Sequence, residues 1–397
     1  MTGACLLTLN AGSSSLKFAL YEAVEGLPLA LTGQVSGLGS APRFQARTGD
    51  TTLDETWAET RDPEAVMART LDWIAGRPES RGLAAIGHRI VHGGLEFREP
   101  VLLTPEVVAH LERLEPLAPL HQPFNLRGVA MAARRFPQAR QVGVFDTAFH
   151  ANQPQVARLY ALPRDLIDQG VLAYGFHGLS YDYIAGMLRA EDGPRAGGRA
   201  IVMHLGSGVS LCALDQGRSL ATTMGFSALD GPPMSTRSGA LDPGVVLHLL
   251  QTRGLSVEAV TDLLYNRSGL LGLSGESGDM KTLLASARPE ARQALDVYVY
   301  RIVRAIGSLT AALGGLDTLV FTAGVGENAA PNRARIAKQC AWLGVRLDSE
   351  ANAGGARQIS RASSAVRVLV VPTNEQVVIA RGAASLLPAP IRRPEAN

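Results

Sequence analysis

Short apolar runs broken by clusters of small residues recur along the chain, the pattern of buried strands leading into tight turns. Residues 6–9 form such a run, Asn10-Ala11-Gly12-Ser13-Ser14-Ser15 is turn chemistry, and residues 16–21 are apolar again. This predicts a β-hairpin with a small-residue tip. The design recurs at 201–214, where Val202-Met203-His204-Leu205 leads into Gly206-Ser207-Gly208 and Ser210-Leu211-Cys212-Ala213-Leu214 leads out. At one fixed offset Gly12 matches Gly206, Ser13 matches Ser207, Ala19 matches Ala213 and Leu20 matches Leu214. The repeat is short, and it suggests two lobes that open with the same strand–loop–strand unit.

Elsewhere helical and strand patterns alternate. Thr104-Pro105-Glu106 reads as an N-cap, an opening proline and a first-turn acid, followed by Val107, Val108, Leu111 and Leu114 at helical spacing. Residues 141–145 read as a strand ending at Asp146. Residues 289–313 read as a helix with Tyr298, Ile302, Ile306, Leu309 and Leu313 on one face, stopped by Gly314-Gly315. Residues 317–322 read as a strand with a Gly-rich exit loop at 324–328. Residues 366–371 are another strand, and Pro372-Thr373-Asn374 caps a final helix. Segments 43–61 and 189–199 read as loops or insertions. Strands alternating with helices predict an α/β fold.

A length of 397 residues suggests two or three domains, and 46% apolar with 19% charged residues is an ordinary globular mixture. The 38 basic and 36 acidic side chains leave a net charge of +2, which argues against a broad nucleic-acid surface. Cys5, Cys212 and Cys340 are far apart and show no CxxC spacing, so no disulfide framework or zinc ribbon is expected and a reducing compartment fits. Residues 1–7 carry no positive charge and Asn10 breaks the apolar run early, so no secretory leader is expected. No run of 18 apolar residues predicts a membrane span. A cytoplasmic protein is the expectation.

Glycine is the informative outlier at 42 residues. Three small-residue loops follow strands, at 10–15, 204–208 and 324–328, and Lys17 stands just beyond the first. Backbone N–H groups of such loops ring a phosphate because no side chain blocks the approach, so three in one chain favour a polyphosphate site. Neither a Walker A lysine motif nor Rossmann spacing is present. His88, His92, His121, His150, His177 and His204 sit in Gly-, Asp- or Pro-flanked contexts, without the HExxH spacing of a zinc site. Structural hydrogen-bonded histidines remain the alternative for each. Arg89 and Arg237 are candidate anion clamps, with a structural ion pair as the other reading. Asp146, at a strand end, and Glu375, at a helix start, are candidate acids near phosphate or Mg²⁺; Glu375 reads equally as a first-turn acid favoured by the helix dipole.

Taken together, these motifs resemble the acetate kinase (acetokinase) family. The residues that carry the resemblance are Asn10-Ala11-Gly12-Ser13-Ser14-Ser15-Leu16-Lys17-Phe18, Gly87-His88-Arg89-Ile90-Val91-His92-Gly93-Gly94, Phe145-Asp146-Thr147-Ala148-Phe149-His150, Tyr174-Gly175-Phe176-His177-Gly178, Thr322-Ala323-Gly324-Val325-Gly326-Glu327-Asn328 and Thr373-Asn374-Glu375. The resemblance runs from about residue 6 to 387. It implies two duplicated α/β lobes of the actin-like ATPase (ribonuclease H-like) type with a nucleotide cleft between them. Residues 1–150 would form one lobe, joined by a C-terminal helix at about 380–390, and residues 151–379 the nucleotide-binding and dimerisation lobe. It further implies a homodimer that uses ATP and Mg²⁺, or Mn²⁺ in its place, to phosphorylate acetate.

By the same resemblance, Asn10 and Glu375 would hold the metal. Asp146, His177 and Arg237 would be catalytic. Arg89, Val91, Leu120, His121 and Phe176 would bind the acid. Lys17, His204, Leu205, Gly206, Ser207, Gly208, Asp279, Met280, Lys281, Gly324, Val325, Gly326, Glu327 and Asn328 would bind the nucleotide. The chain departs from the family pattern at Ser207, Ser235, Ala240, Lys281 and Gln376, which implies altered nucleotide affinity. Ala228 stands where a proline usually completes the acyl pocket, which opens propionate or butyrate as alternative substrates. A sugar or polyol kinase and a non-catalytic ATP-binding sensor are the remaining rivals.

Overall fold

The computed structural model describes residues 3–12 and 15–388. The chain divides into two compact units, one comprising residues 1–149 and 374–397 and the other 150–373. The sequence reading ended the second lobe at 379 and put the returning helix at about 380–390. By packing, the chain returns to the first unit at Asn374, and the helix spans Glu375–Ser385.

The first unit is built on one eight-stranded sheet. Its strands are β1 (Cys5–Ala11), β2 (Ser15–Glu22), β3 (Leu29–Ser36), β4 (Arg43–Thr48), β5 (Thr51–Thr56), β6 (Leu83–Ile90), β7 (Val101–Leu102) and β8 (Arg140–Phe145), in the order β5-β4-β3-β2-β1-β6-β8-β7. The first five strands form an antiparallel meander, while β1, β6 and β8 run parallel. The second unit carries β9 (Arg199–Leu205), β10 (Val209–Asp215), β11 (Arg218–Thr222), β12 (Thr318–Thr322) and β13 (Arg367–Val370), in the order β11-β10-β9-β12-β13. Here too the first three strands are antiparallel and β9, β12 and β13 are parallel.

The inner strands β3-β2-β1-β6-β8 therefore repeat the order β11-β10-β9-β12-β13. The repeat seen in the sequence is this duplication: β9 and β10 begin 194 residues after β1 and β2, at Arg199 against Cys5 and at Val209 against Ser15. Ser13, which matches Ser207, lies outside the described residues.

Burial explains the strands. Seven consecutive residues of β1 are buried, as a central strand covered on both faces requires. Leu7, Leu9, Phe18, Leu20 and Phe44 pack with Val66, Met67, Leu71 and Ile74 of the helix Pro63–Ala75. In the second unit the helix Pro289–Leu313 buries Tyr298, Ile302, Ile306 and Leu309, with Leu313 half-buried, and ends on Gly314 in the left-handed conformation. The helix Glu375–Ser385 packs on β1, β6 and β8. It comes this close because Gly87 has no side chain: a Cβ there would lie 2.6 Å from Ile379 Cγ2. That approach brings Glu375 to the end of β1.

Three expectations change. Residues 43–61 are no loop: β4 and β5 form a hairpin. The Trp57 ring stacks on Phe44 at 4.6 Å and Arg69 lies over it at 4.2 Å, so aromatic packing holds a polar strand in place. Residues 189–199 split among the end of the helix Gly178–Asp192, a short turn of helix at Gly193–Arg195 and the start of β9. Residues 324–328 are helical, within Ala323–Asn328.

Candidate active site

In the first unit the strand ends carry the charge. Arg89, on β6, donates from Nε (2.9 Å) and Nη2 (2.5 Å) to Asp146 Oδ2, just past β8. Its Nη1 donates to Asn10 Oδ1 at 3.2 Å, and Asn10 Nδ2 donates to Glu375 Oε2 at 2.6 Å. The result is a continuous chain Asp146–Arg89–Asn10–Glu375. Burial works against the Arg89 charge, but the Asp146 and Glu375 carboxylates outweigh it and hold the guanidinium pKa above its ordinary value. Burial pushes the Asp146 carboxyl up, and Arg89 pulls it down. Two guanidinium N–H groups on one oxygen fit the ionised pair. Of the five N–H bonds of Arg89, three are used in this chain; the other two have no partner among the described residues.

Asn10 and Glu375 lie side by side at the end of β1, joined by a hydrogen bond. The Asn10 oxygen faces the Arg89 charge and its amide nitrogen orients Glu375. Asn374 caps the helix through Val377 N (3.2 Å), so Glu375 is also a first-turn acid.

Two amides fix the loop that follows Arg89. Asn125 Oδ1 accepts from Val91 N (3.1 Å), and its Nδ2 donates to Ala11 O (2.8 Å). Gln122 clamps the His92 backbone, accepting from its N–H and donating to its carbonyl. Val91 is 3% exposed, and Leu120 is 43% exposed. His121 precedes the helix Gln122–Arg135 and is half-buried. Lys17, on β2, is exposed and pairs in register with Asn10.

In the second unit His177 adopts the left-handed conformation (φ 58°) at the start of the helix Gly178–Asp192. Its ring stacks on His204, with centroids 4.0 Å apart and planes 17° from parallel. Gly208 lies beside it: a Cβ there would be 3.1 Å from His177 Nε2 and 3.8 Å from Arg237 Nη1. The structure thus brings His177, Arg237 and the Gly206–Gly208 turn together. Arg237 Nη1 donates to the Ala228 carbonyl at 2.9 Å. Phe176 is 2% exposed, and its carbonyl bonds His150 Nε2 at 3.0 Å.

The nucleotide segments are tighter than open loops. His204 and Leu205 belong to β9, and Gly206 N–H closes the turn onto Gly208 O at 3.0 Å, leaving Ser207 exposed at its tip. The Asp279 carboxylate caps the helix Met280–Ala285 through Thr282 N (2.8 Å) and Thr282 Oγ1 (2.9 Å). Met280 is buried and Lys281 exposed. Gly324 and Asn328 are exposed, Val325 and Glu327 half-buried and Gly326 buried. Glu327 Oε1 accepts from Thr373 N at 3.1 Å.

The sequence reading missed Arg333. It is 2% exposed and donates to Gly326 O, Glu327 O, Asn352 O and Asn352 Oδ1, fixing the end of the Ala323–Asn328 helix. It also missed Ser210, whose Oγ lies 2.8 Å from His177 Nδ1, and Tyr181, whose hydroxyl meets Ser210 Oγ at 2.5 Å. The i+4 spacing of Tyr181 from His177 on a helix was the signal that could have found the second. Among the described residues no group of three or more His, Cys, Asp or Glu side chains could hold a metal ion, and no helix is long and apolar enough to cross a membrane.

The duplicated sheet order, with cationic and acidic side chains at the strand ends, defines an α/β phosphotransferase of the actin-like ATPase class. The family model described as the acetokinase family matches residues 5–381. The acetate kinase of Rhodopseudomonas palustris (strain TIE-1) is 51% identical over 384 residues, covering 95% of this chain and 96% of that protein. That of Methylocella silvestris is 45% identical, with 96% and 98% covered. Among solved structures, a propionate kinase from Francisella tularensis superposes with a TM-score of 0.90 at 32% identity, covering 97% of this chain and 100% of that one. Porphyromonas gingivalis acetate kinase superposes with 0.84 at 35% identity, with the same coverage. The chain belongs to the acetokinase family.

Proposed function

We propose that this chain transfers the terminal phosphoryl group of ATP to acetate, reversibly, giving acetyl phosphate and ADP. The observation that carries this reading is Arg89, a buried guanidinium already balanced by Asp146 and by Asn10–Glu375, yet retaining two N–H groups for a small carboxylate. Acetate is ionised at neutral pH, so no base is needed to make it a nucleophile. The obstacle is the approach of one anion to another. Arg89 offsets the charge on the acid, while His177 Nε2 and Arg237 donate to the oxygens of the transferring group. The acetate oxygen bonds to the γ-phosphorus as the bond from that phosphorus to the ADP oxygen breaks. Ser207 and the backbone of Gly206–Gly208, with Lys17 and residues 279–281 and 324–328, bind the nucleotide.

The donor set fits Mg²⁺: one oriented carboxylate, Glu375, in a hard-oxygen setting suits an ion held mostly by phosphate oxygens and water. Glu375, steered by Asn10, would hold it, and Mn²⁺ has the same preference. When bound, it supplies neutralisation of phosphate charge. Asp146 anchors Arg89 and accepts no proton in this scheme.

Ala228 favours a second reading, a wider choice of acid. One methylene is worth only about 1–3 kcal/mol of discrimination. Steady-state rates with ATP and Mg²⁺ across C1 to C4 acids, read as hydroxamate after hydroxylamine trapping, test both readings. Acetate giving hydroxamate supports the main one. A larger kcat/KM for propionate would replace acetate as the preferred acid, and no hydroxamate from any acid would refute acyl phosphate formation. Arg237→Ala should lose orders of magnitude in turnover; a near-wild-type rate would remove Arg237 from the mechanism.

The helix Pro243–Gln251 buries none of its residues although its sequence is mostly apolar, and Leu241, Val245, Leu247, Leu255 and Val257 are exposed around it. This patch is the natural seat of a second copy, making the protein a homodimer. The buried cysteines Cys5, Cys212 and Cys340, all free thiols, suit the reducing cytoplasm.

A further inference from the structure

Four consecutive backbone N–H groups, those of residues 91–94, follow β6, and each is taken up by a different side chain. Asn125 Oδ1 accepts from Val91 N at 3.1 Å, Gln122 Oε1 from His92 N at 3.2 Å, Thr147 Oγ1 from Gly93 N at 3.0 Å and His92 Nδ1 from Gly94 N at 2.9 Å. A connection at the surface would leave such groups to water. Here the backbone that carries Val91 away from Arg89 is held at every step.

Of these side chains, Asn125 also reaches the neighbouring strand. It is buried on the helix Gln122–Arg135, and its Nδ2 donates to Ala11 O at 2.8 Å. A backbone N–H only donates and a carbonyl only accepts, so the two partners fix which way the amide faces. β1 and β6 are parallel neighbours whose pairing ends at Leu9 and His88. Asn10 and Ala11 on one strand, and Arg89 to Val91 on the other, lie beyond that last pair. There the Asn125 amide does what a peptide of an intervening strand would do, accepting from one chain segment and donating to the other. Gln122 is placed differently: its nitrogen donates to His92 O and Leu111 O, which ties the loop to the helix Pro105–Glu112.

We propose that Asn125 is a positioning residue that sets the spacing between the acid and the terminal phosphate, by fixing the backbone at Val91 against the loop that opens at Asn10. This deepens, and rests on, the function proposed above, in which Arg89 and Val91 receive the acid while Asn10 and Glu375 face the metal and the phosphate. Arg89 bonds Asn10 through its own long side chain, whereas Asn125 ties backbone to backbone. In-line transfer needs the reacting atoms about 3–3.5 Å apart, and a displacement of about 1 Å costs about a hundred-fold in rate. The bonds of Asn125 run to backbone and not to substrate, so its loss should fall on kcat and hardly on the binding of either substrate alone.

The test uses the full-length protein with the variants Asn125→Ala and Gln122→Met. Hydrogen exchange over residues 91–93, read by mass spectrometry, needs no turnover: it should be slow in the wild type and at least about ten-fold faster in Asn125→Ala. With acetate and ATP, kcat of Asn125→Ala should fall about a hundred-fold, while the Kd of each substrate, measured separately by calorimetry, changes less than about three-fold. The ratio of kcat/KM for propionate to that for acetate should shift as well, because Val91 is no longer held. Gln122→Met, which loosens the same loop without touching β1, should lower the melting temperature yet keep kcat within about five-fold of wild type. Free exchange of these amides in the wild type, an unchanged kcat in Asn125→Ala, or a loss confined to substrate affinity overturns the proposal, and so does an equal kcat loss in Gln122→Met. If Asn125→Ala fails to fold, Asn125→Asp, which keeps the acceptor for Val91 N but loses the donor to Ala11 O, takes its place and should show the same kcat loss. Should the wild type form no acyl phosphate, the function proposed above fails and the catalytic consequence with it, whereas slow exchange that quickens in the variant would still establish the bridge.

Discussion

Acid should unfold this protein earlier than its paired carboxylates alone would dictate, because three imidazoles are buried neutral. His88 bonds Gln141 Oε1 at 2.7 Å, His92 accepts from Gly94 N at 2.9 Å, and His150 lies between Ser219 Oγ and the Phe176 carbonyl. Burial lowers each from the ordinary 6.5 to about 4. Between those values the unfolded chain takes up protons that the folded chain refuses. Their stabilisation is therefore complete above about pH 6.5 and is lost as the pH falls toward 4. At about 1.36 kcal/mol per pH unit, a drop to pH 5 removes about 2 kcal/mol per imidazole. Asp146 and Asp230 work the other way: burial raises them, so the folded chain takes up their protons more readily, and the net loss is smaller than the sum over the three histidines. Asp54, Glu59, Asp192 and Asp317 are lowered by their arginine partners, so what they contribute is lost only below the ordinary carboxylate range.

Denaturant titrations at pH 7.5 and pH 5 measure this, with the fluorescence of Trp57 and Trp73 reporting the first unit. That unit holds His88 and His92 and should move further than the second, which holds His150. A histidine Cε1–H titration should leave all three signals unmoved down to about pH 5. An unfolding midpoint that does not change between the two pH values, or any of the three imidazoles titrating near 6.5, would refute the reasoning.

Three further outcomes follow from single contacts. Arg333→Met leaves the carbonyls of Gly326 and Glu327 without their buried donor and should cost about 2–4 kcal/mol, seen as a lower melting temperature together with weaker ATP binding by calorimetry. Gly269→Ala sets a Cβ 2.2 Å from Met234 O and 2.7 Å from Arg237 O at a φ of +61°, so it should displace the Arg237 loop and lower kcat about 100-fold; an unaltered rate would show that the loop tolerates the shift. Leu247→Glu puts a charge into the exposed apolar patch and should halve the mass seen by sedimentation, whereas an unaltered mass would place the dimer contact elsewhere.

How much the sequence disclosed depended on whether a residue's role is local. The paired hairpins β1–β2 and β9–β10 were legible because buried runs and glycine turns lie within 20 residues of each other. The β4–β5 hairpin was not, because Thr51–Thr56 is polar and exposed. What holds the hairpin is Trp57 stacked on Phe44 under Arg69, a contact that no local pattern signals. Residues 324–328 looked like a loop because two glycines in five residues disfavour helix. Arg333, several residues on, ties their carbonyls and tips the balance.

The site divides in the same way. Motifs named Arg89, Asp146, Asn10 and Glu375, since each sits in a short recognisable string, but the strings did not say that Asn10 turns its oxygen to Arg89 and its nitrogen to Glu375. That orientation follows from one helix closing on Gly87, and the bond spans 365 residues of chain. Charge is thus written residue by residue, whereas the direction of a hydrogen bond is decided by whichever distant group arrives opposite. For a phosphoryl-transfer site built from pre-oriented donors, direction is as much a part of the catalyst as charge.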